Sequence, residues 1–358
     1  MVYFFAFVLI FLSIILPKNK FLSLLWIVYF IILFGFNSFN PDLWAYQNIY
    51  RLYQNGTYDG KLVDSGYIFL MQSFQNFSYS FGQFFLFIAF VSVISIFYFI
   101  NKFSKYRNLV FIPMLLYPFT LSVVQSRFFF STSIVLIGLT FLERNTKIGK
   151  ILFLIFILLA STIHFSSILY LILILATSNS FKKMYSFLLL GVVGIVLLIA
   201  GGELLNLTAL SQGIQRYFIG SLEFKGLVFV SRVIFFRLGI IGLLHLAFKY
   251  FRDTFDETDL FLMKSVNIIM FITMIFELVN TEFERFSRIG FIALYILIFN
   301  ITSRLKLNSN KISFIGIAIT FMILYTGYQY FLRESNGIIF FEAVFRDIFE
   351  NNYLLNGK

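Results

Sequence analysis

Polar punctuation cuts this chain into about twelve apolar runs, and no other feature limits its fold so sharply. The runs lie near residues 2–16, 21–36, 82–100, 108–122, 128–142, 150–163, 165–178, 184–201, 231–249, 260–280, 286–302 and 311–332. A membrane-spanning helix needs about 20 apolar residues, or roughly 17 to 25, so several of these runs are short. The composition points the same way: 59% of residues are hydrophobic and 13% charged, and mean hydropathy is +0.88. Soluble domains carry roughly 25% charged residues, and a water-soluble globule could not bury this much apolar surface. The expectation is an all-α integral membrane protein, one polytopic domain over residues 1–358, with outer loops at about 37–81 and 202–230. The first run, Val2 to Leu16, has neither a basic leader nor a small-x-small cleavage site, so it is expected to be a span rather than a signal peptide.

Residues 150–178 are the hardest to place. Their 28 helical residues would reach only about 42 Å, enough for one tilted crossing but thin for two. Two half-length helices meeting at His164 are the alternative. Loop charge bears on this choice, because Lys and Arg in short loops are retained on the cytoplasmic side. With the N-terminus outside, the inner loops hold 15 basic residues against five acids, Glu143, Asp253, Asp256, Glu257 and Asp259. The outer regions hold 12 of each sign, and Lys264 lies just inside a span. A single crossing at 150–178 would move the later basic loops to the other side and erase the asymmetry, so an out-and-back excursion is expected.

Several chemistries are excluded. There is no cysteine, hence no disulfide and no thiolate catalysis or metal site, and only two histidines, His164 and His245. The net charge of +11 is spread through short loops rather than over one soluble face, which argues against nucleic acid. No Walker loop, dinucleotide fingerprint, HExxH, GxSxG elbow or Asp-x-Asp pair occurs.

The chemistry-bearing residues gather on the outer side. Asn40-Pro41-Asp42 carries an N-cap residue, a proline for the first helical position and an acid for the first turn, so a short surface helix should start there. Along it Asp42, Tyr46, Tyr50 and Tyr53 share one face, with Trp44 on another side. Rings beside carboxylates suit a sugar, whose C–H face stacks while its hydroxyls donate; an interfacial aromatic belt is the alternative. Arg127 follows Gln125 and Ser126, Arg216 lies in the second outer loop, Arg232 and Arg237 open a span, and Arg285 and Arg288 top another. Cations in hydrocarbon cost several kcal/mol unless paired or watered, and a cluster at one edge suits a bound diphosphate. Snorkelling, or local pairing such as Glu284 with Arg288, is the alternative. His164 is expected at an outer apex as a base or orienting donor. His245, near an inner end, reads as structural, and Glu277 in an apolar run needs a partner.

Four ordered pieces carry a resemblance: Asp42-Leu43-Trp44-Ala45-Tyr46; Gln125-Ser126-Arg127 opening a later helix; Ile163-His164-Phe165-Ser166-Ser167; and Glu284-Arg285-Phe286-Ser287-Arg288-Ile289-Gly290. Together with the run of spans they resemble the EpsG-like family of Wzy-type polysaccharide polymerases of capsule, exopolysaccharide and O-antigen clusters. The departure is Phe128, where a polar residue would be expected. The resemblance implies a bundle of about 12 (10–14) transmembrane helices, glycosyltransferase-C-like, in the bacterial plasma (inner) membrane with its active site facing outside. It implies transfer of a growing glycan from polyprenyl diphosphate onto a lipid-linked repeat unit. The implied catalytic residues are Asp42, His164 and Arg127, with either Asp42 or His164 as the base. The substrate-binding candidates are Arg285, Arg288, Tyr46, Trp44, Gln125 and Glu284 from these pieces, together with Arg216 from its place in the second outer loop. No cofactor or metal is required, since the donor is already activated. The implied partners are lipid-linked repeat units, the bilayer, and chain-length-regulating and flippase proteins, with no nucleic acid. A lipid-linked oligosaccharide flippase and a membrane O-acyltransferase are the alternatives.

Overall fold

Helices uniformly rich in Phe, Leu and Ile have no polar face to give to water, so they bury one side against each other and leave the other to lipid. The computed structural model describes residues 2–37, 41–55, 64–204, 226–305, 309–332, 344, 345 and 348, and every regular element among them is helical. In order they are α1 (Val2–Ile15), α2 (Lys20–Gly35), α3 (Pro41–Gln54), α4 (Ser65–Asn76), α5 (Phe81–Phe103), α6 (Arg107–Met114), α7 (Thr120–Val124), α8 (Ser126–Leu142), α9 (Lys147–Ile163), α10 (Phe181–Leu204), α11 (Leu227–Tyr250), α12 (Glu257–Val279), α13 (Ser287–Arg304) and α14 (Ser309–Gly327). Among the described residues six stretches are long and apolar enough to cross a membrane: Phe81–Phe103, Arg107–Val124, Leu227–Tyr250, Glu257–Val279, Thr281–Arg304 and Asn310–Phe331. Val2–Ile15, Lys20–Gly35, Ser126–Leu142 and Phe165–Thr177 are shorter apolar helices. The chain is a multi-pass membrane protein. The core is strongly aromatic, with Trp26, Phe30, Phe34, Phe84, Phe85, Phe99 and Phe111 fully buried.

The helix ends follow local sequence. Asn19 accepts from Leu22 N to cap α2, Ser80 and Gln83 form a capping box on α5, and Asp256 and Asp259 form one on α12. The run expected at 108–122 is one helix interrupted. Tyr117 takes an extended conformation (φ −153°, ψ 130°) before Pro118, whose ring disfavours the helical region for its predecessor. A second break at Gln125 (φ −98°, ψ 57°) separates α7 from α8 and leaves Ser126-Arg127 at the start of a new helix.

The stretch 150–178 resolves differently from a pair of short α-helices. The chain reverses at His164, and Phe165–Thr177 is wound as a 3-10 helix. At about 2.0 Å per residue its 13 residues extend roughly 26 Å, against roughly 20 Å for an α-helix of that length. The tighter winding supplies length that the composition alone does not.

The outer stretch 37–81 contains the short helix expected to start near Asp42, which is α3, and a second one, α4; most of 202–230 lies outside the described residues. The loops assigned inside do meet at one end of the bundle. Asn108 Nδ2 donates to the Leu16 (2.8 Å) and Asn19 (3.0 Å) carbonyls, and Lys102 pairs with Glu143 at 3.2 Å. Thr258 reaches Glu143 (3.1 Å), and Arg304 pairs with Asp256 (2.8 Å) and with Asp259. The opposite end carries the cluster described next.

Candidate functional site

Helix α3 is held by Tyr50, not displayed by it. The Tyr50 ring is buried against Phe81 (5.6 Å) and Phe84 (5.8 Å), and its hydroxyl donates to the Tyr79 carbonyl at 2.8 Å. Its own carbonyl accepts from Gln75 Nε2 at 2.6 Å. Tyr50 is therefore a packing residue. Tyr46, one turn earlier, lies 5.9 Å from the Tyr67 ring and hydrogen-bonds Arg127. Trp44 points away, three-quarters exposed.

Arg127 stands just after the Gln125 break. Its Nη1 lies 3.5 Å from Asp64 Oδ2, and the same oxygen accepts from Phe165 N at 3.3 Å. Asp64 precedes α4 but makes no capping bond there, so its carboxylate is spent joining α4, α8 and the 3-10 segment. Arg127 Nε, Gln125 Oε1 and Ser126 Oγ are buried and have no partner among the described residues.

Phe128, the departure from the family pattern, sits at the centre. Its buried ring meets His164 edge-on at 5.3 Å and Phe286 at 5.3 Å, and the Arg285 guanidinium lies 5.6 Å from its centroid. It thus orients an imidazole and a cation without contributing a polar atom. Arg285 also pairs with the exposed Glu282. His164, Ser166, Glu282, Phe283, Arg285 and Phe286 line a small cleft.

Electrostatics set the protonation states. At the turn between α9 and the 3-10 segment, burial first, and then Arg127 and Arg285, push the His164 imidazole down to about 3, so it is neutral near pH 7. Its Nδ1 is 2.6 Å from Ser166 Oγ. Burial raises the Asp42 carboxyl above its ordinary value, while Arg285 and Arg127 pull it back. Asp64 is likewise raised by burial and opposed by Arg127.

Glu284 and Arg288 belong to a buried layer beneath. Arg288 donates to the Leu121 carbonyl at 2.9 Å and to Glu284 Oε2 at 3.3 Å, and Tyr117 donates to the other Glu284 oxygen. Tyr117 and Tyr325 hydroxyls are 3.3 Å apart, and Tyr325 accepts from Arg237 at 3.1 Å. Arg237 in turn grips Glu277 Oε2 with Nη2 at 2.8 Å and Nε at 3.3 Å. Glu277 has its partner, and the chain from Glu277 to Leu121 ties α11, α12, α13 and α14 to the broken helix.

Residues 20–342 match the EpsG family. The chain belongs to that family. The matched region takes in every residue of the cluster from Asp42 to Arg288. No curated protein and no solved structure matches the chain. In this EpsG-family member Asp42, Tyr46, Arg127, His164 and Arg285 are brought together, with Gln125 alongside. Glu284 and Arg288 are internal, Arg232 lies 6.0 Å from the Tyr328 ring, and Arg216 lies outside the described residues. His245 bonds Tyr185 (2.9 Å) and Asn267 (3.3 Å) within the bundle. Phe128, marked in the sequence only as a departure from the pattern, joins the cluster, as do Asp64 and Ser166, neither of which has a role assigned from sequence; Asp64's one local signal, an acid before a helix start, suggests a cap rather than a site.

Proposed function

We propose that the chain is a polysaccharide repeat-unit polymerase of the Wzy type, moving a growing glycan from polyprenyl diphosphate onto an incoming lipid-linked unit at the outer face of the bacterial plasma membrane. In this reading the twelve apolar helical segments are crossings of a glycosyltransferase-C-like bundle. The observation that carries it is the meeting of two guanidinium groups, two carboxylates and a neutral imidazole at the end of the bundle away from the basic loops.

The chemistry follows from charge. When the acceptor hydroxyl attacks the anomeric carbon, the bond to the diphosphate breaks and the leaving group takes the electron pair. Preorganised cations stabilise that growing charge more than the ground state, which is the role assigned to Arg127 and Arg285. The hydroxyl proton needs a base. A neutral imidazole held near 3 is a weak one, whereas burial makes Asp42 a stronger base than an ordinary carboxylate. Asp42 is assigned as base and His164 as a neutral donor to diphosphate. Nδ1 shares a hydrogen bond with Ser166 Oγ, and in the tautomer in which that hydroxyl donates, the Nε2 hydrogen is the one offered to diphosphate. Asp64 and Tyr46 position Arg127, and Glu284 and Arg288 support the segment that carries Arg285; Trp44, pointing away from the cluster, has no part in this step.

Deleting the gene in its native strain tests this directly through the glycan left on lipid. Single repeat units accumulating at the outer leaflet are expected. Units trapped at the inner leaflet would point to a flippase, and full-length polymer lacking only an acyl group to an acyltransferase; either would overturn the assignment.

A further inference from the structure

Beside the cationic cleft a shallow apolar groove lies between the 3-10 segment and α12, and Phe283 and Phe286 line both. Side chains three apart eclipse on a 3-10 helix, so Ser166, Leu169 and Ile172 form one straight row. Ser166 lines the cleft, and Leu169 and Ile172 line the groove. On an α-helix the same three positions would fall behind by about 60° at each step, and the row would curl away. The unusual winding therefore draws a track about 12 Å long from polar to apolar surroundings.

The facing wall matches. Ile269, Ile272, Thr273 and Phe276 fall on one stripe of α12, at i, i+3, i+4 and i+7. The polar side-chain atoms in the groove are already spent, Tyr170 donating to the Phe286 carbonyl at 3.3 Å and Thr273 to the Ile269 carbonyl at 2.6 Å. Nothing there asks for a hydrogen bond, and at Phe283 and Phe286 the groove adjoins the cleft lined by Arg285. The shape and charge call for one hydrocarbon chain carrying an anionic head; a diacyl phospholipid would bring a second chain for which the single row has no place.

We propose that this groove holds the head-proximal isoprene units of the polyprenyl carrier, with the diphosphate in the cleft at Arg285 and His164. The identity of the lipid rests on the polymerase reading; the position of the tail rests on the groove.

The test uses the full-length protein in phospholipid nanodiscs and a polyprenyl diphosphate bearing a photoreactive diazirine in its second isoprene unit. Crosslinks mapped by mass spectrometry are expected on residues 165–177 and 269–286, displaced by excess unlabelled polyprenyl diphosphate and not by inorganic diphosphate. Ile272→Trp and Leu169→Trp are each expected to cut that labelling at least tenfold, judged on whichever variant keeps the wild-type melting temperature. Labelling spread over lipid-exposed helices such as α1, or displaced equally by phospholipid, or untouched by both substitutions, would overturn the proposal. If labelling follows the groove but the protein joins no repeat units, the polymerase reading falls while the tail site stands. If units are joined and labelling lies elsewhere, the reverse holds.

Discussion

Replacing Arg127 by alanine removes a guanidinium that reaches Asp64 and Tyr46 and keeps a buried, unpartnered Nε. Taking one preorganised donor from a developing oxyanion costs about 2.7–4 kcal/mol, or roughly 10²–10³ in rate. Because Arg127 offers both a charge and an uncommitted donor, the upper end of that range is expected. The stability cost should be small. The Arg127–Asp64 pair is 3.5 Å apart with side chains 19% and 31% exposed, and such pairs contribute about 0–1 kcal/mol. Arg127→Lys keeps the charge but loses the planar fork, and losing one charge-assisted bond of about 1.5–3 kcal/mol corresponds to roughly 10–10²-fold. The assay is elongation of lipid-linked repeat units in membranes, with protein abundance and melting temperature measured on the same preparations. A well-expressed, normally folded Arg127→Ala protein that elongates at the wild-type rate would refute the role assigned to this cation.

Glu277→Ala should destabilise the protein by about 3–5 kcal/mol, because it strands the buried Arg237 charge; the double variant Arg237→Met/Glu277→Leu should recover most of that in a denaturation measurement. Gly66→Ala would put a Cβ 2.3 Å from Thr162 Oγ1 and 2.8 Å from its carbonyl oxygen, so α4 must shift and carry Asp64 off Arg127. An overpacking cost of about 1–3 kcal/mol with reduced elongation is expected, only partly rescued by Thr162→Ala because the carbonyl remains. For His164 the folded value near 3 lies below the ordinary 6.5, so the unfolded chain takes up a proton that the folded chain refuses. Its contribution to stability is complete above about pH 6.5 and is lost as pH falls towards 3; His164→Gln should flatten this part of the melting curve, and identical pH profiles would contradict it.

What the sequence disclosed and what it hid divide along physical lines. Apolar runs and caps are local, so the helices fall close to where punctuation put them, and loop charge sorted the two ends because each short loop keeps its sign. The 3-10 winding of Phe165–Thr177 was not legible, since an apolar run has the same composition in either helix. Nor was the burial of Tyr50: periodicity placed it on a face with Asp42 and Tyr46, but the face turns inward by that point of α3. Arg288 was expected as a diphosphate-binding cation at the edge of a span, with local pairing to Glu284 as the alternative; the pair does form, and the Leu121 carbonyl and Tyr117 show both residues to be internal. Phe128 read as a missing polar contact, whereas its ring is the plate against which His164 and Arg285 rest.

The central claim is that this chain alone joins repeat units carried on polyprenyl diphosphate. Purified protein in liposomes, given the native lipid-linked repeat unit with chelator and no nucleotide, tests it most directly. A ladder of lipid-linked oligomers that disappears with Arg127→Ala is the expected result; single units left unjoined by a folded wild-type protein would contradict the account.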